Sequence, residues 1–182
     1  MKKRISVLFI MSFLIIGLVG CQSVSSSKVD PNKKAILAVS FGTSYADTRE
    51  ATIGATEAKI AEAFPEYDVK RAFTSQIIID KLKDRDGIEI DNTTEALEKL
   101  KNEGYGEVLI QPLHIINGAE YDDLVEEARE YDDVFDKIVI SRPLLTSTED
   151  LRNVANCIAK NMPELQENEG VVLMGHGTHH DA

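Results

Sequence analysis

Apolar and amphipathic segments alternate along the chain from residue 35 onward, and this pattern predicts its secondary structure. Segments that are continuously apolar, or apolar at every second residue, predict five β-strands, at 35–41, 67–73, 107–113, 137–145 and 170–174. Segments with a 3.6-residue apolar period predict four helices, at 42–64, 91–105, 119–131 and 147–161. This alternation predicts an α/β fold with a mostly parallel sheet, flanked by helices and joined by right-handed crossovers.

Capping residues mark the ends of several predicted helices. Asn92 is followed three residues later by Glu95, and Ser147 by Asp150, which is the spacing of a capping box. Pro65 ends the first helix, because proline cannot continue a helical hydrogen-bond ladder. These signals place the ends of the helices close to the residues where the 3.6-residue apolar period begins or ends.

The first residues have the pattern of a targeting segment. Three cations at 2–4 precede the apolar stretch 5–19, and the sequence Leu-Val-Gly-Cys at 18–21 is typical of a bacterial lipoprotein signal. We therefore expect a signal peptide at 1–20 and a polar tether at 21–33. The chain would be exported and anchored to a membrane through a lipid on Cys21. The alternative is an uncleaved anchor helix, although the apolar stretch is short for a membrane span of about 20 residues.

The charge of the chain excludes some partners. The formal net charge is −11, and cleavage after residue 20 would remove three cations and leave −14. No Lys/Arg cluster follows the signal, so a nucleic-acid partner is not expected. With Cys21 lipidated, Cys157 is left without a disulfide partner, and its spacing from Leu151 and Val154 predicts a buried helix face.

The loop after the first predicted strand suits an anion. A glycine permits a tight turn there, and hydroxyl groups and a helix N-terminus offer donors, so we predict a substrate-binding loop of Ser40, Phe41, Gly42, Thr43, Ser44 and Tyr45. The loop lacks the second glycine and the lysine of a Walker motif, so ATP use finds no support. A serine- and threonine-capped helix start is the alternative.

The loop after the third predicted strand, 111–123, contains His114 and Glu120. Both could belong to a site, since ligands of parallel α/β sheets bind beyond the carboxyl ends of the strands. The alternative is structural. Asn117 and Glu120 also have capping-box spacing, and His114 could be a half-buried imidazole with its hydrogen bonds satisfied.

The stretch "GHGTHH" at 175–180 carries three of the four histidines. Glycines on both sides of His176 reduce crowding, so this imidazole can project into a cleft. Neutral imidazole binds late divalent metals and can also accept a proton, so His176 is the predicted metal ligand and catalytic base. His179 and His180 either add ligands or form a solvated tract.

Three motifs together resemble a known family. "AILAVSFGTSYADTR" at 35–49, "QPLHIINGAEYDDL" at 111–124 and "MGHGTHH" at 174–180 are similar to motifs of the anaerobic-type sirohydrochlorin cobaltochelatases. These are class II chelatases, which insert metal into a tetrapyrrole without ATP. The resemblance runs from about residue 34 to the last residue, and the motifs keep the family's order and approximate spacing.

The resemblance implies two lobes, each a parallel sheet flanked by helices, with the tetrapyrrole between them. It implies that His176 is a metal ligand and proton acceptor, and that Glu120 lies in the active-site cleft. A further acidic residue and a second metal-binding histidine of the family would lie beyond Ala182. We therefore expect 34–145 to form the N-terminal lobe and 146–182 to begin a truncated C-terminal lobe.

The function predicted from the sequence is insertion of a divalent metal into sirohydrochlorin, as in cobalamin biosynthesis. The metal is a substrate, Co²⁺ first, with Ni²⁺ or Fe²⁺ accepted by the same ligand types, and no cofactor is required. Export is unexpected for a pathway of the cytoplasm. The alternatives are therefore an exported lipoprotein that binds metal, haem or another tetrapyrrole without turnover, and an inactive truncation product. Association into homo-oligomers stays open.

Overall fold

A four-stranded parallel sheet forms the centre of the protein. The computed structural model describes residues 29–175 and Gly177. The strands lie in the order β2-β1-β3-β4, all parallel, and comprise β1 Asp30–Ser40, β2 Asp68–Phe73, β3 Tyr105–Pro112 and β4 Lys137–Ile140. Four of the predicted strands and the α/β class are confirmed. Within the described ranges, no helix has the length and apolarity that a membrane span needs.

Helices connect the strands on both sides of the sheet. They are α1 Ala46–Arg49, α2 Ala55–Ala63, α3 Gln76–Asp86, α4 Thr93–Asn102, α5 Ala119–Arg129 and α6 Thr148–Lys160. A π-helical segment, Glu50–Gly54, joins α1 to α2 without a break. The predicted caps of α4 and α6 are confirmed. The Asn92 side chain accepts from the Glu95 backbone N–H at 2.9 Å, and Ser147 accepts from that of Asp150 at 3.1 Å.

One face of the sheet carries the main core. Alternate residues of β1 and β3 pack there against α4 and α5, and the cluster includes Leu37, Val39, Val108, Ile110, Leu97, Leu100, Leu124 and Ala128. All eight are at most 3% exposed. Burial of this continuous apolar face is the principal source of stability for the lobe, since each large apolar side chain contributes roughly 1.5–3 kcal/mol.

The opposite face of the sheet is covered more thinly. No residue of α2 is buried, and Phe64 just after it is 46% exposed. Val139 of β4 is 42% exposed on the same side. A cavity of about 160 Å³ lies between α2 and this part of the sheet, lined by Ile36, Ile60 and Leu109 among others.

Three predictions require correction. Residues 170–174 form no strand, because a strand needs a neighbour for its backbone hydrogen bonds, and within the described part of the chain none pairs with them. Val172 and Met174 are instead 91% and 95% exposed. Cys157 is exposed rather than buried, since no residue of α6 is buried. Helix α3, which the apolar period did not predict, occupies 76–86. The described residues thus form one α/β lobe.

Candidate functional site

The predicted site loops meet at one edge of the sheet, where the parallel strands end. Strands β1 and β3 are neighbours, and the backbone N–H of Leu113 donates to the Val39 carbonyl at 2.7 Å. The backbone N–H of Thr74, after β2, donates to the Ser40 carbonyl at 2.9 Å. This edge therefore holds the 40–45 loop between the segments that follow β2 and β3, at the usual ligand position of parallel α/β sheets.

The 40–45 loop turns sharply at Gly42. This residue has a φ of +93°, and a Cβ there would lie 2.4 Å from the buried Phe73 ring. The N-cap residue of α1 is Tyr45 rather than a serine or threonine, and it makes no side-chain capping bond. Thr43 Oγ1 instead accepts from the Tyr45 backbone N–H at 3.3 Å. The loop buries Ser44 and exposes Phe41 and Tyr45 at 50% and 68%.

Replacing Gly42 with alanine is expected to lower the free energy of unfolding by about 2–4 kcal/mol, since a left-handed φ and a clash with an enclosed ring add together. Urea denaturation of the purified protein measures this change. Gly87→Ala is the matched control. Gly87 also has a left-handed φ, of +65°, but nothing lies within 4 Å of the place that a methyl group would take there, so a loss of only about 1 kcal/mol is expected. Equal losses for the two variants would show that the Phe73 contact does not constrain the loop.

His114 lies in a cavity at the end of β3. The cavity measures about 580 Å³ and is lined by residues of 111–115 and 141–144 together with Thr56 and Ile60 of α2. Both ring nitrogens of His114 are buried and find no hydrogen-bond partner among the described residues, which does not fit the alternative of a satisfied structural imidazole. Buried polar atoms are rarely left unpaired, and each such group costs about 1–3 kcal/mol. The volume is in the range of small-molecule sites.

Burial lowers the pKa of His114, and the Glu120 carboxylate opposes that shift only in part. The ring is therefore neutral at pH 7, with one nitrogen able to donate and the other to accept. Glu120 is exposed in the first turn of α5. That helix begins after Gly118 without a side-chain cap, so the alternative of an Asn117–Glu120 capping box is wrong. The structure thus brings His114 and Glu120 into electrostatic contact at this edge.

Basic side chains surround the 40–45 loop. The Arg49 guanidinium donates to the Thr43 carbonyl at 3.3 Å, and that of Arg85 donates to the Ser44 carbonyl. The Lys81 ammonium lies 5.9 Å from the centre of the Tyr45 ring. Sequence reasoning missed Lys81 and Arg85 because it missed α3. Ser75 before that helix and Gly87 after it are the signals that could have found it.

Several predicted site residues are not placed. His176, His179, His180 and Cys21 lie outside the described residues.

Arg142 borders the His114 cavity and forms an ion pair with Asp150 at 3.2 Å. In the ranges 29–175 and 177, no three His, Cys, Asp or Glu side chains cluster as a metal-binding group.

Comparisons with known proteins agree with the motifs. The family described as cobalt chelatase (CbiK) matches residues 34–182. Sirohydrochlorin cobaltochelatase of Salmonella typhimurium is 48% identical over 150 residues, which cover 82% of this chain and 57% of that protein. Sirohydrochlorin cobaltochelatase CbiKC of Nitratidesulfovibrio vulgaris is 38% identical over 153 residues, covering 82% and 54%. The chain therefore spans somewhat more than half the length of these curated relatives.

Proposed function

The chain belongs to the cobalt chelatase (CbiK) family, and from that premise we propose that it inserts Co²⁺ into sirohydrochlorin without ATP. The observation that carries the proposal is the match over 34–182 together with 48% identity to a protein named sirohydrochlorin cobaltochelatase. The cavity at His114 and the 40–45 loop are consistent with it, since both lie at the carboxyl edge of the sheet.

Metal insertion needs groups that hold an ion and remove protons. The incoming ion sheds its bound waters and replaces two pyrrole N–H protons of the macrocycle. We assign His176 as the metal ligand and proton acceptor, following the glycine-flanked histidine of the family. Glu120 assists as a second base or as a carboxylate near the ion, because it is exposed at the carboxyl edge of the sheet.

The described residues also offer groups that hold the macrocycle. The neutral His114 ring can hydrogen-bond to the tetrapyrrole within its largely apolar cavity, which would satisfy its unpaired nitrogens. The 40–45 loop presents two exposed aromatic rings, those of Phe41 and Tyr45, to the ligand. In this proposal the described lobe forms one wall of a cleft. A second α/β lobe, which residues 146–182 would begin, forms the other.

The proposed activity is measured by the absorbance change as metal-free sirohydrochlorin takes up Co²⁺. With the purified protein and no ATP, we expect insertion to proceed faster than the spontaneous reaction. Ni²⁺ and Fe²⁺ in parallel reactions would rank the metals, since imidazole and carboxylate ligands accept all three. A rate equal to that of the protein-free solution would contradict the proposal.

We further propose that the chain is an exported lipoprotein, with a signal at 1–20 and a lipid on Cys21. Globomycin, which blocks lipoprotein processing, should then leave the longer precursor on a gel, as should Cys21→Ala. Unchanged mobility under both treatments would contradict this assignment.

The proposed lipoprotein signal at 1–20 favours a second candidate function. A lipoprotein outside the cytoplasm could use the same edge to bind a metal or a tetrapyrrole such as haem without turnover. Such a protein would keep the His114 cavity and His176 but would form no product beyond one equivalent. The two candidates therefore differ in the amount of product made per chain.

A further inference from the structure

A cationic cluster borders the 40–45 loop in a chain whose formal net charge is −11. It consists of Arg49 from α1 and of Lys81 and Arg85 from α3. Asp86 lies among these cations, and all three of them lower the pKa of its carboxyl group, led by its hydrogen bond to Arg85. Three cations and one carboxylate leave this group of four side chains with a net charge of about +2 at neutral pH.

Arg85 is paired with Asp86 at 2.5 Å, but the other two cations of the cluster differ from basic residues such as Lys99 and Lys137. Lys99 pairs with Asp91 at 2.6 Å, and Lys137 pairs with Glu107 at 2.6 Å. Within the described residues, Arg49 and Lys81 form no such salt bridge. Arg49 contacts a loop carbonyl, and Lys81 contacts an aromatic ring. Their charge therefore remains available to an anion from outside the protein.

Two exposed aromatic side chains belong to the same loop, and one of them, Tyr45, contacts a cation of the cluster. Phe41 is 50% exposed and Tyr45 is 68% exposed, and the Lys81 ammonium lies over the Tyr45 ring. Large exposed aromatics in a loop bordered by cations fit a ligand that has a flat apolar body and an anionic rim. An inorganic anion would use the cations and leave the rings without a role.

We propose that Arg49, Lys81 and Arg85 bind the peripheral carboxylates of the tetrapyrrole, with Phe41 and Tyr45 against its ring. This inference rests on the proposed function and identifies how an acidic protein holds a polycarboxylate. Arg85 and Arg49 also fix the loop through its carbonyls, so Lys81 is the cation whose role is electrostatic alone. The His114 cavity follows the adjacent strand, about 5 Å away in the sheet, so one macrocycle can reach both.

The test compares two charge reversals on the same helix. Lys81→Glu changes the cluster, whereas Lys83→Glu makes the same change in net charge beside Glu89, 3.6 Å from the Lys83 ammonium. Fluorescence titration gives the Kd of metal-free sirohydrochlorin, and circular dichroism checks that each variant folds. We expect Lys81→Glu to raise this Kd about tenfold and Lys83→Glu to raise it less than about twofold. Lys81→Arg should restore the wild-type value.

A second ligand separates carboxylate binding from a general loss of affinity. Mesoporphyrin has fewer carboxylates, so Lys81→Glu should raise its Kd by less than about threefold. The effect on sirohydrochlorin should also shrink at high salt. The inference would be overturned if Lys81→Glu and Lys83→Glu had equal Kd values for sirohydrochlorin. It would also be overturned if Lys81→Glu raised the Kd values of sirohydrochlorin and mesoporphyrin by the same factor.

The proposed function and this inference can fail separately. If the wild type inserts cobalt and Lys81→Glu binds sirohydrochlorin as tightly as Lys83→Glu, the inference alone is wrong. If Lys81→Glu weakens binding but the wild type inserts no cobalt, the carboxylate site stands and the proposed activity fails. If the wild type binds no sirohydrochlorin, both are wrong.

Discussion

Replacing His176 with alanine is expected to lower the rate of cobalt insertion about a thousandfold, while the Kd of metal-free sirohydrochlorin changes less than about threefold. The imidazole is proposed to hold the ion and to accept a pyrrole proton, and alanine can do neither. We propose that the tetrapyrrole is held mainly by other groups, at the 40–45 loop and the His114 cavity, so its binding should persist. Absorbance assays of insertion and fluorescence titration of the metal-free ligand measure the two quantities.

Neighbouring histidines provide matched controls for this variant. His179→Ala and His180→Ala remove the same side chain within four residues of His176. If these two belong to a solvated tract, each variant should retain at least about a third of the wild-type rate. Wild-type-like insertion by His176→Ala would remove the basis of the proposed mechanism. A large loss in His179→Ala or His180→Ala would instead add that residue to the ligands.

Replacing His114 with phenylalanine is expected to raise the free energy of unfolding by about 1 kcal/mol and to weaken sirohydrochlorin binding about tenfold. The ring nitrogens of His114 are buried without partners in the part of the chain that the structure describes, so an apolar ring removes a desolvation cost in the ligand-free protein. The same change removes the hydrogen bonds that the ligand would supply. Opposite effects on stability and binding are typical of a side chain kept for a ligand.

Acid should destabilise the wild type more than this variant. The pKa of His114 is lowered in the folded protein by burial, so the unfolded chain binds more protons below the ordinary histidine pKa of about 6.5. The contribution of His114 to the free energy of unfolding is therefore largest above that pH, and it falls as the pH drops below it. Urea denaturation at pH 7 and pH 5 should show a smaller decline for His114→Phe.

Thr93→Val is the control for the change at His114. Thr93 Oγ1 is also buried without a partner among the described residues, but Thr93 begins α4 and belongs to neither of the segments 40–45 and 111–123 assigned to the site. Its replacement should leave sirohydrochlorin binding unchanged. If His114→Phe were destabilising and bound sirohydrochlorin normally, His114 would be a structural residue, and its place in the site would be wrong.

The strands could be predicted because their buried positions are occupied by apolar residues, either consecutively or at every second position. Helix α3 could not be predicted by period, since Ile77, Ile78 and Ile79 are consecutive and only Ile79 is buried, at 6% exposure. At 170–174 the error is the reverse, since the pattern predicts a strand that the structure does not form. Its composition favours a strand, but a strand also needs an adjacent partner, which a local pattern does not specify.

The loops of the site could be predicted from the rule that ligands bind at the carboxyl ends of parallel strands. Their surroundings required the three-dimensional structure. Lys81 lies 36 residues from Tyr45 along the chain, and the two meet because β1 and β2 are adjacent in the sheet. The unpaired nitrogens of His114 likewise depend on which groups lie around the ring. Capping spacing at Asn117 and Glu120 was misleading because α5 begins after Gly118.

The amount of product formed per chain tests most directly whether this edge of the sheet supports chelatase catalysis. Purified protein is mixed with a large excess of Co²⁺ and sirohydrochlorin in the absence of ATP, and cobalt-sirohydrochlorin is quantified by absorbance after subtraction of the spontaneous reaction. We predict many equivalents of product per chain, with the excess abolished in His176→Ala. Product that stops at one equivalent, or does not exceed the protein-free control, would contradict a catalytic function.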